Sequence, residues 1–279
     1  MQVQSTGPQF AIGGRSTERV LKKTSRELQK ILERLSTAKR INRASDDAAG
    51  LSIAEQLDTR IRGFKMASRN VEDSMSALNI ADGAGGQISS LLQRQRELAI
   101  QARNDTLNDK DRESLDAEYQ QLTAEINRIA SSAQFNNQGV SGGEELASGE
   151  AVIQAGPEVN DQITYPEVNF SAAAQDLALT SIATSGDANT AISAIDNVIN
   201  SVNLQRSNVG AAFNRLESTI NNLSTAVVNT QAAESVLRDE DMASGLAELT
   251  QTRLLQEGGM RAFSRFNQIT QNHIMGLLG

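Results

Sequence analysis

The feature that most constrains this chain is a series of mostly apolar residues at steps of four and three: Ala188, Ile192, Ile195, Ile199, Val202, Arg206, Val209, Phe213, Leu216, Ile220, Leu223, Val227, Thr230, Glu234 and Leu237. A single helix holding the series would be roughly 75 Å long at about 1.5 Å per residue, so its stripe has to be covered by other long helices. The N-terminal half supplies candidates, with Gly50, Ala54, Leu57, Ile61, Phe64, Ser68, Val71, Met75 and Leu78, and then Leu115, Tyr119, Leu122, Ile126, Ile129 and Ala133, in the same alternation. The reading is a mainly α chain that goes out and comes back as a long antiparallel helical hairpin or coiled-coil bundle.

Composition narrows the function. Aromatic residues are 3% of the 279, with no Trp, which suits packed helices better than a compact enzyme core. A net charge of −8 argues against nucleic acid as a partner, because phosphate binding needs basic surface in quantity. The basic residues that cluster over 15–40 and 60–69 are interleaved with acids on helical faces and read as solvated or subunit-contacting. The chain has no Cys, hence neither disulfides nor thiolate chemistry. It shows no apolar window of membrane-spanning length and no cleavable signal, so it reads as neither membrane-inserted nor exported by the general routes. A dedicated export machine that recognises an unstructured end would escape that inference.

Along the chain, residues 16–37 are predicted to form an amphipathic helix with Leu21, Leu28 and Leu35 one heptad apart, after a flexible opening containing Gly7, Pro8, Gly13 and Gly14. A second helix is predicted from about Ser45, with a bend or break at Gly83, Gly85 and Gly86 before it resumes to Ala102. A third covers 109–133. Residues 135–170 are rich in Gly and Pro, and within them 151–154 and 162–165 read as one small β-hairpin, the only sheet expected. A polar connection over 171–189 leads to the long helix, which ends near Arg238. A last amphipathic region carries Met242, Leu246, Leu249, Phe263, Phe266 and Leu277 and stays apolar to the end, a liability unless neighbouring copies bury it. The expected assembly seams are therefore Leu21, Leu28 and Leu35 in one arm and Leu246, Leu249, Phe263, Phe266 and Leu277 in the other.

Catalytic signatures are absent apart from Ser36-Thr37-Ala38-Lys39, a four-residue Ser-x-x-Lys match without its companion motifs. The one histidine, His273, makes no metal site alone. Adjacent acids, Asp46 with Asp47 and Asp239 with Glu240 and Asp241, diverge by about 100° per residue on a helix and read as caps and salt-bridge partners rather than an acid–base pair. The chain reads as a non-enzyme with no cofactor.

Three runs carry a family resemblance: Leu35-Ser36-Thr37-Ala38-Lys39-Arg40-Ile41-Asn42, Asp46-Asp47-Ala48-Ala49-Gly50 and Ala67-Ser68-Arg69-Asn70. With Leu92 to Ala102, Gln134-Phe135-Asn136 and, on the returning half, Arg206, Gly210, Ala211, Asn214, Arg215, Asp239, Asp241 and Ala243, they resemble bacterial flagellin over nearly the whole chain. The opening residues and Ala38, where the family usually has Gly, depart from the pattern. The resemblance implies a minimal, core-only flagellin. Residues 1–43 and 239–279 would be the two arms of an inner coiled-coil domain, and 44–238 an outer helical bundle with the β-hairpin at about 135–170.

The function it implies is a homopolymeric structural subunit of the extracellular filament, serving motility. Implied partners are the flagellar type III export apparatus, an export chaperone and the cap and hook-associated proteins. A hook–filament junction protein and a flagellin-like surface binding protein are the alternatives. The stretch 93–100 further resembles the flagellin patch recognised by Toll-like receptor 5, with Arg94 and Leu98 at matching positions and Glu118 as the acid on the next helix. The competing reading makes Leu98 a core residue and the charges supports for subunit packing.

Overall fold

The computed structural model describes residues 7–136, 138–140, 150–166 and 168–278, and side chains at 15–136, 139–140, 151–165, 168–172, 175–272 and 275. Its order is α1 (Gly7–Thr37), α2 (Ala48–Ala102), α3 (Asp109–Ser132), β1 (Gln134–Phe135), β2 (Gln138–Gly139), β3 (Glu150–Gln154), β4 (Gln162–Pro166), α4 (Phe170–Ala178), α5 (Ser185–Arg238) and α6 (Met242–Leu278). The chain divides into two compact units, one from Met1–Thr59 with Thr230–Gly279, the other Arg60–Asn229.

In the Arg60–Asn229 unit, α2, α3 and α5 form the bundle that the heptads require. Ala188, Ile195, Val202, Val209, Leu216 and Leu223, spaced by sevens on α5, are all buried. Antiparallel packing is fixed at the rim by ion pairs: Arg96 to Asp196 at 2.7 Å and Arg206 to Asp82 at 2.9 Å between α2 and α5. At one end Arg112 is buried, and its guanidinium donates to the carbonyls of Ala102 and Asn104, both at 3.0 Å, closing the C-terminus of α2. Asn108 caps α3 in a reciprocal capping box with Asp111.

The expected hairpin forms, with β3 antiparallel to β4 and Ile153 opposite Ile163. It docks on α2, where a Cβ on Gly63 would stand 2.6 Å from that of Pro157, Arg60 pairs with Glu158 at 3.0 Å and the Asn70 amide donates to the Gln154 carbonyl. Five expectations need correction. The glycines Gly83, Gly85 and Gly86 do not interrupt α2, which is continuous. Each interior glycine costs about 1 kcal/mol against Ala, less than the roughly 1.5–3 kcal/mol from burying each of Ile88, Leu92 and Phe170. The absent side chain at Gly85 also has a use, since a Cβ there would stand 2.8 Å from Phe170 Cζ.

The stretch 171–189 is not a plain connection. It holds most of α4, capped by Asn169, whose side chain accepts from the Ala172 amide, and anchored by buried Phe170 and Leu177. A second, two-residue ladder pairs β1 with β2 through Gln134 and Gly139. Helix α1 begins at Gly7 rather than after a loose opening, and Pro8 suits a first turn because its missing N–H would be unsatisfied there anyway. Helix α2 starts at Ala48, three residues later than read, because Asp47 is the cap: its Oδ1 accepts from the Gly50 amide at 2.9 Å.

In the other unit the two linkers, 38–47 between α1 and α2 and 239–241 between α5 and α6, are laced together. Lys39 and Asp239 form an antiparallel bridge, with the Arg40 amide donating to the Arg238 carbonyl at 2.7 Å and the Glu240 amide to the Ala38 carbonyl at 3.0 Å. The Arg40 guanidinium donates to the Leu237 carbonyl, and Asp46 accepts from the Arg43 and Asn42 amides, which hold its carboxyl below the usual carboxylate range. Asp241 accepts from the Ala243 amide at the start of α6. The adjacent acids thus act as caps and loop braces.

Ala38, just past α1, takes φ 54°, a left-handed conformation suited to glycine. Ala38→Gly is therefore expected to stabilise this unit by about 0.5–1 kcal/mol, the strain relieved being partly offset by a freer unfolded chain. Hydrogen exchange at the Arg40 and Glu240 amides measures it; unchanged or weaker protection would mean that the site is unstrained.

Candidate assembly surface and recognition patch

Helices α1 and α6 pack antiparallel in a defined register. A Cβ on Gly245 would stand 2.9 Å from Leu35 Cδ2, and one on Gly259 would stand 3.4 Å from Leu21 Cδ1. By the same register Leu28 lies opposite Thr252, which is buried, as are Thr24 and Ile31 on α1. Heptad-spaced leucines on one helix thus face heptad-spaced small residues on the other, bringing the backbones close.

A narrow seam leaves the larger apolar groups outside. Leu249, Phe263 and Phe266 are partly buried on the α1-facing side, but Leu246 is 53% exposed and does not belong to that contact. Leu277 lies on α6, with its side chain outside the described set, as is that of His273. Met242, Leu254, Leu255, Met260, Ile269 and Met275 are all exposed on α6, with Val20 and Leu32 on α1. Of the thirty buried apolar residues among those described, only Ile31, Ile41 and Ala54 belong to this unit. The arms expose what a stable fold would bury.

The second candidate lies between α2 and α3. Arg94 donates through Nε and Nη2 to Glu118 Oε1 at 3.1 and 2.9 Å and through Nη1 to Glu97 at 3.1 Å, which raises its already high pKa. Arg94 and Glu118 are about half exposed, at 50% and 45%, whereas Leu98 is 1% exposed and belongs to the core. The structure brings the charged pair together at the surface and sets Leu98 beneath it.

Sequence reasoning missed the role of Gln95. It is fully buried, and its Nε2 donates to Thr123 Oγ1 at 2.8 Å and the Tyr119 carbonyl at 3.3 Å, tying α2 to α3. Tyr119 is buried too; its hydroxyl meets Thr180 Oγ1 at 2.6 Å, and burial pushes its pKa up. Among the described residues no cluster of His, Cys, Asp or Glu could hold a metal ion, and no helix is long and apolar enough to cross a membrane.

Comparison with known proteins agrees with this geometry. Residues 14–155 match the bacterial flagellin N-terminal helical region and residues 192–278 the bacterial flagellin C-terminal helical region. The chain is 41% identical to a flagellin of Halalkalibacterium halodurans over 87% of this chain and 89% of that one. It is 36% identical to the flagellar filament 31.3 kDa core protein of Treponema maltophilum over 92% and 94%. The crystal structure of Bacillus cereus flagellin superposes with a TM-score of 0.51 at 34% identity, covering 60% of this chain and 94% of that one. With both of its helical arms matched, and relatives aligned along most of their length, the chain belongs to the bacterial flagellin family.

Proposed function

We infer that this chain is a structural subunit of a bacterial flagellar filament, polymerising through its terminal helices into an extracellular tube that serves motility. The observation that carries the reading is the contrast between a well-filled Arg60–Asn229 core and a pair of terminal helices whose large apolar groups are left outside. Copies of the same chain are the natural cover, because each brings the same unburied surface. In this reading residues 1–43 and 239–279 are the arms of an inner coiled-coil domain and 44–238 the outer bundle. The chain leaves the cell through the flagellar export apparatus, with a chaperone shielding the apolar C-terminal arm until assembly. Negative-stain images of concentrated purified protein should show tubes; persistent monomers under conditions that polymerise other flagellins would sink the reading.

A second role, recognition by Toll-like receptor 5, is favoured by the exposed Arg94–Glu118 pair. Arg94→Ala is expected to weaken signalling by monomeric protein about tenfold, in line with loss of a charge-assisted contact. Signalling that is unaltered in the variant would assign the pair to packing alone.

A further inference from the structure

One face of α1 is a basic stripe, only part of which is paired within the chain. Arg15, Arg19, Lys22, Lys23, Arg26, Lys30 and Arg34 fall within about 120° of the helix circumference. That face is opposite the one bearing buried Thr24 and Ile31, so the cations point away from the α6 seam. All but Arg34 are exposed, and the stripe runs for about 29 Å at 1.5 Å per residue. Lys22, Lys23 and Lys30 have carboxylate partners in Glu18, Glu27 and Asp46, whereas Arg15, Arg19, Arg26 and Arg34 have no ion-pair partner among the described residues. The acid on the same face, Glu33, is taken by Arg43 at 2.9 Å.

The opposite charge is carried elsewhere in the same chain. Residues Arg60–Asn229 hold twenty-one Asp and Glu against twelve Lys and Arg, whereas α1 holds seven basic residues against three acidic. We propose that the basic stripe of α1 is a contact surface between copies, receiving carboxylates of a neighbouring subunit as the polymer forms. This rests on the filament reading above and adds an electrostatic contact to the apolar one. A homopolymer offers the stripe an acidic partner at fixed stoichiometry, without any other molecule. Individually such pairs are weak and screened by salt, but a row of them on a rigid helix adds orientation and speeds encounter.

The test compares the full chain with a triple variant, Arg15→Gln, Arg19→Gln and Arg26→Gln, and with a control, Lys65→Gln and Lys110→Gln, which removes exposed cations from the other unit. Critical monomer concentration is read by sedimentation at low and high NaCl, alongside binding to vesicles of phosphatidylglycerol and phosphatidylcholine. The triple variant should raise the critical concentration about tenfold at low salt, lose most of its salt dependence and melt at the wild-type temperature. The control should polymerise normally. Equal critical concentrations in all three proteins would overturn the proposal, as would an equal loss in the control. Vesicle binding that the triple variant abolishes without altering polymerisation would assign the stripe to an anionic membrane surface instead. If the unaltered chain fails to polymerise, the filament reading falls and the stripe proposal with it, an outcome distinct from tubes that ignore the substitutions.

Discussion

Truncation after Asp241 is expected to abolish polymerisation while leaving the Arg60–Asn229 unit folded. The deletion removes α6, and with it Leu246, Leu254, Leu255, Met260, Ile269 and Met275, all exposed in the single chain. Full burial of one such side chain stabilises by about 1.5–3 kcal/mol. The six are only about half exposed, so covering them contributes on the order of 5–10 kcal/mol per subunit, and losing them would weaken association by about four to seven powers of ten. Removing α6 also uncovers Ile31 and Thr24 on α1 without touching the α2, α3 and α5 core. Sedimentation and electron microscopy should find no tubes at any accessible concentration, and a denaturation curve should retain the cooperative transition of the bundle. Tubes formed by the truncated chain would move the assembly surface elsewhere.

A paired substitution separates folding from assembly. Leu216 is fully buried at a heptad position on α5, and Leu216→Ala should cost about 2–5 kcal/mol through lost burial and a residual cavity. For a bundle of this size each kcal/mol corresponds to roughly 2–4 °C, so the melting temperature should fall by about 5–15 °C. Leu254→Ala makes the same chemical change at a site 65% exposed, and should alter monomer stability by no more than about 0.5 kcal/mol while raising the critical concentration for polymerisation. Calorimetry of the monomer and sedimentation of the polymer give the two readouts. A large monomer effect from Leu254→Ala would show that α6 buries more within its own chain than the structure describes.

What the amino-acid sequence discloses depends on how local the deciding force is. The α5 heptads were legible because every seventh residue from Ala188 to Leu223 repeats one instruction, and the β3–β4 hairpin because alternation and turn residues are short-range signals. The continuity of α2 was not legible, since Gly83, Gly85 and Gly86 carry a local preference that only the distant Phe170 and the surrounding bundle overrule. Helix α4 is short, and its two anchors, Phe170 and Leu177, are seven residues apart in an otherwise small, polar stretch.

In the candidate surface, apolar periodicity identified α6 as needing cover but could not say which flank faces α1. Leu246 stands outside the α1 contact, exposed for a neighbouring copy, and the residues that admit α1 are small. A usable signal existed in the spacing of Gly245, Thr252 and Gly259, which repeats the spacing of Leu21, Leu28 and Leu35 in the opposite direction. Burial of Gln95 left no such trace, because a polar residue inside a bundle is recognised only through its partners on another helix.

The leucine-to-glycine register between α1 and α6 also restricts how these arms can change length over evolution. Inserting one residue between Leu21 and Leu35 would rotate everything beyond it by about 100°, carrying one leucine away from its recess while the other stays seated. A compensating insertion in α6 would have to fall between Gly245 and Gly259, in a segment far from α1 along the chain. Whole heptads added to both segments together would keep leucines opposite small residues. The two segments are therefore expected to vary in concert, with length changes in one arm tolerated only where the other has changed to match.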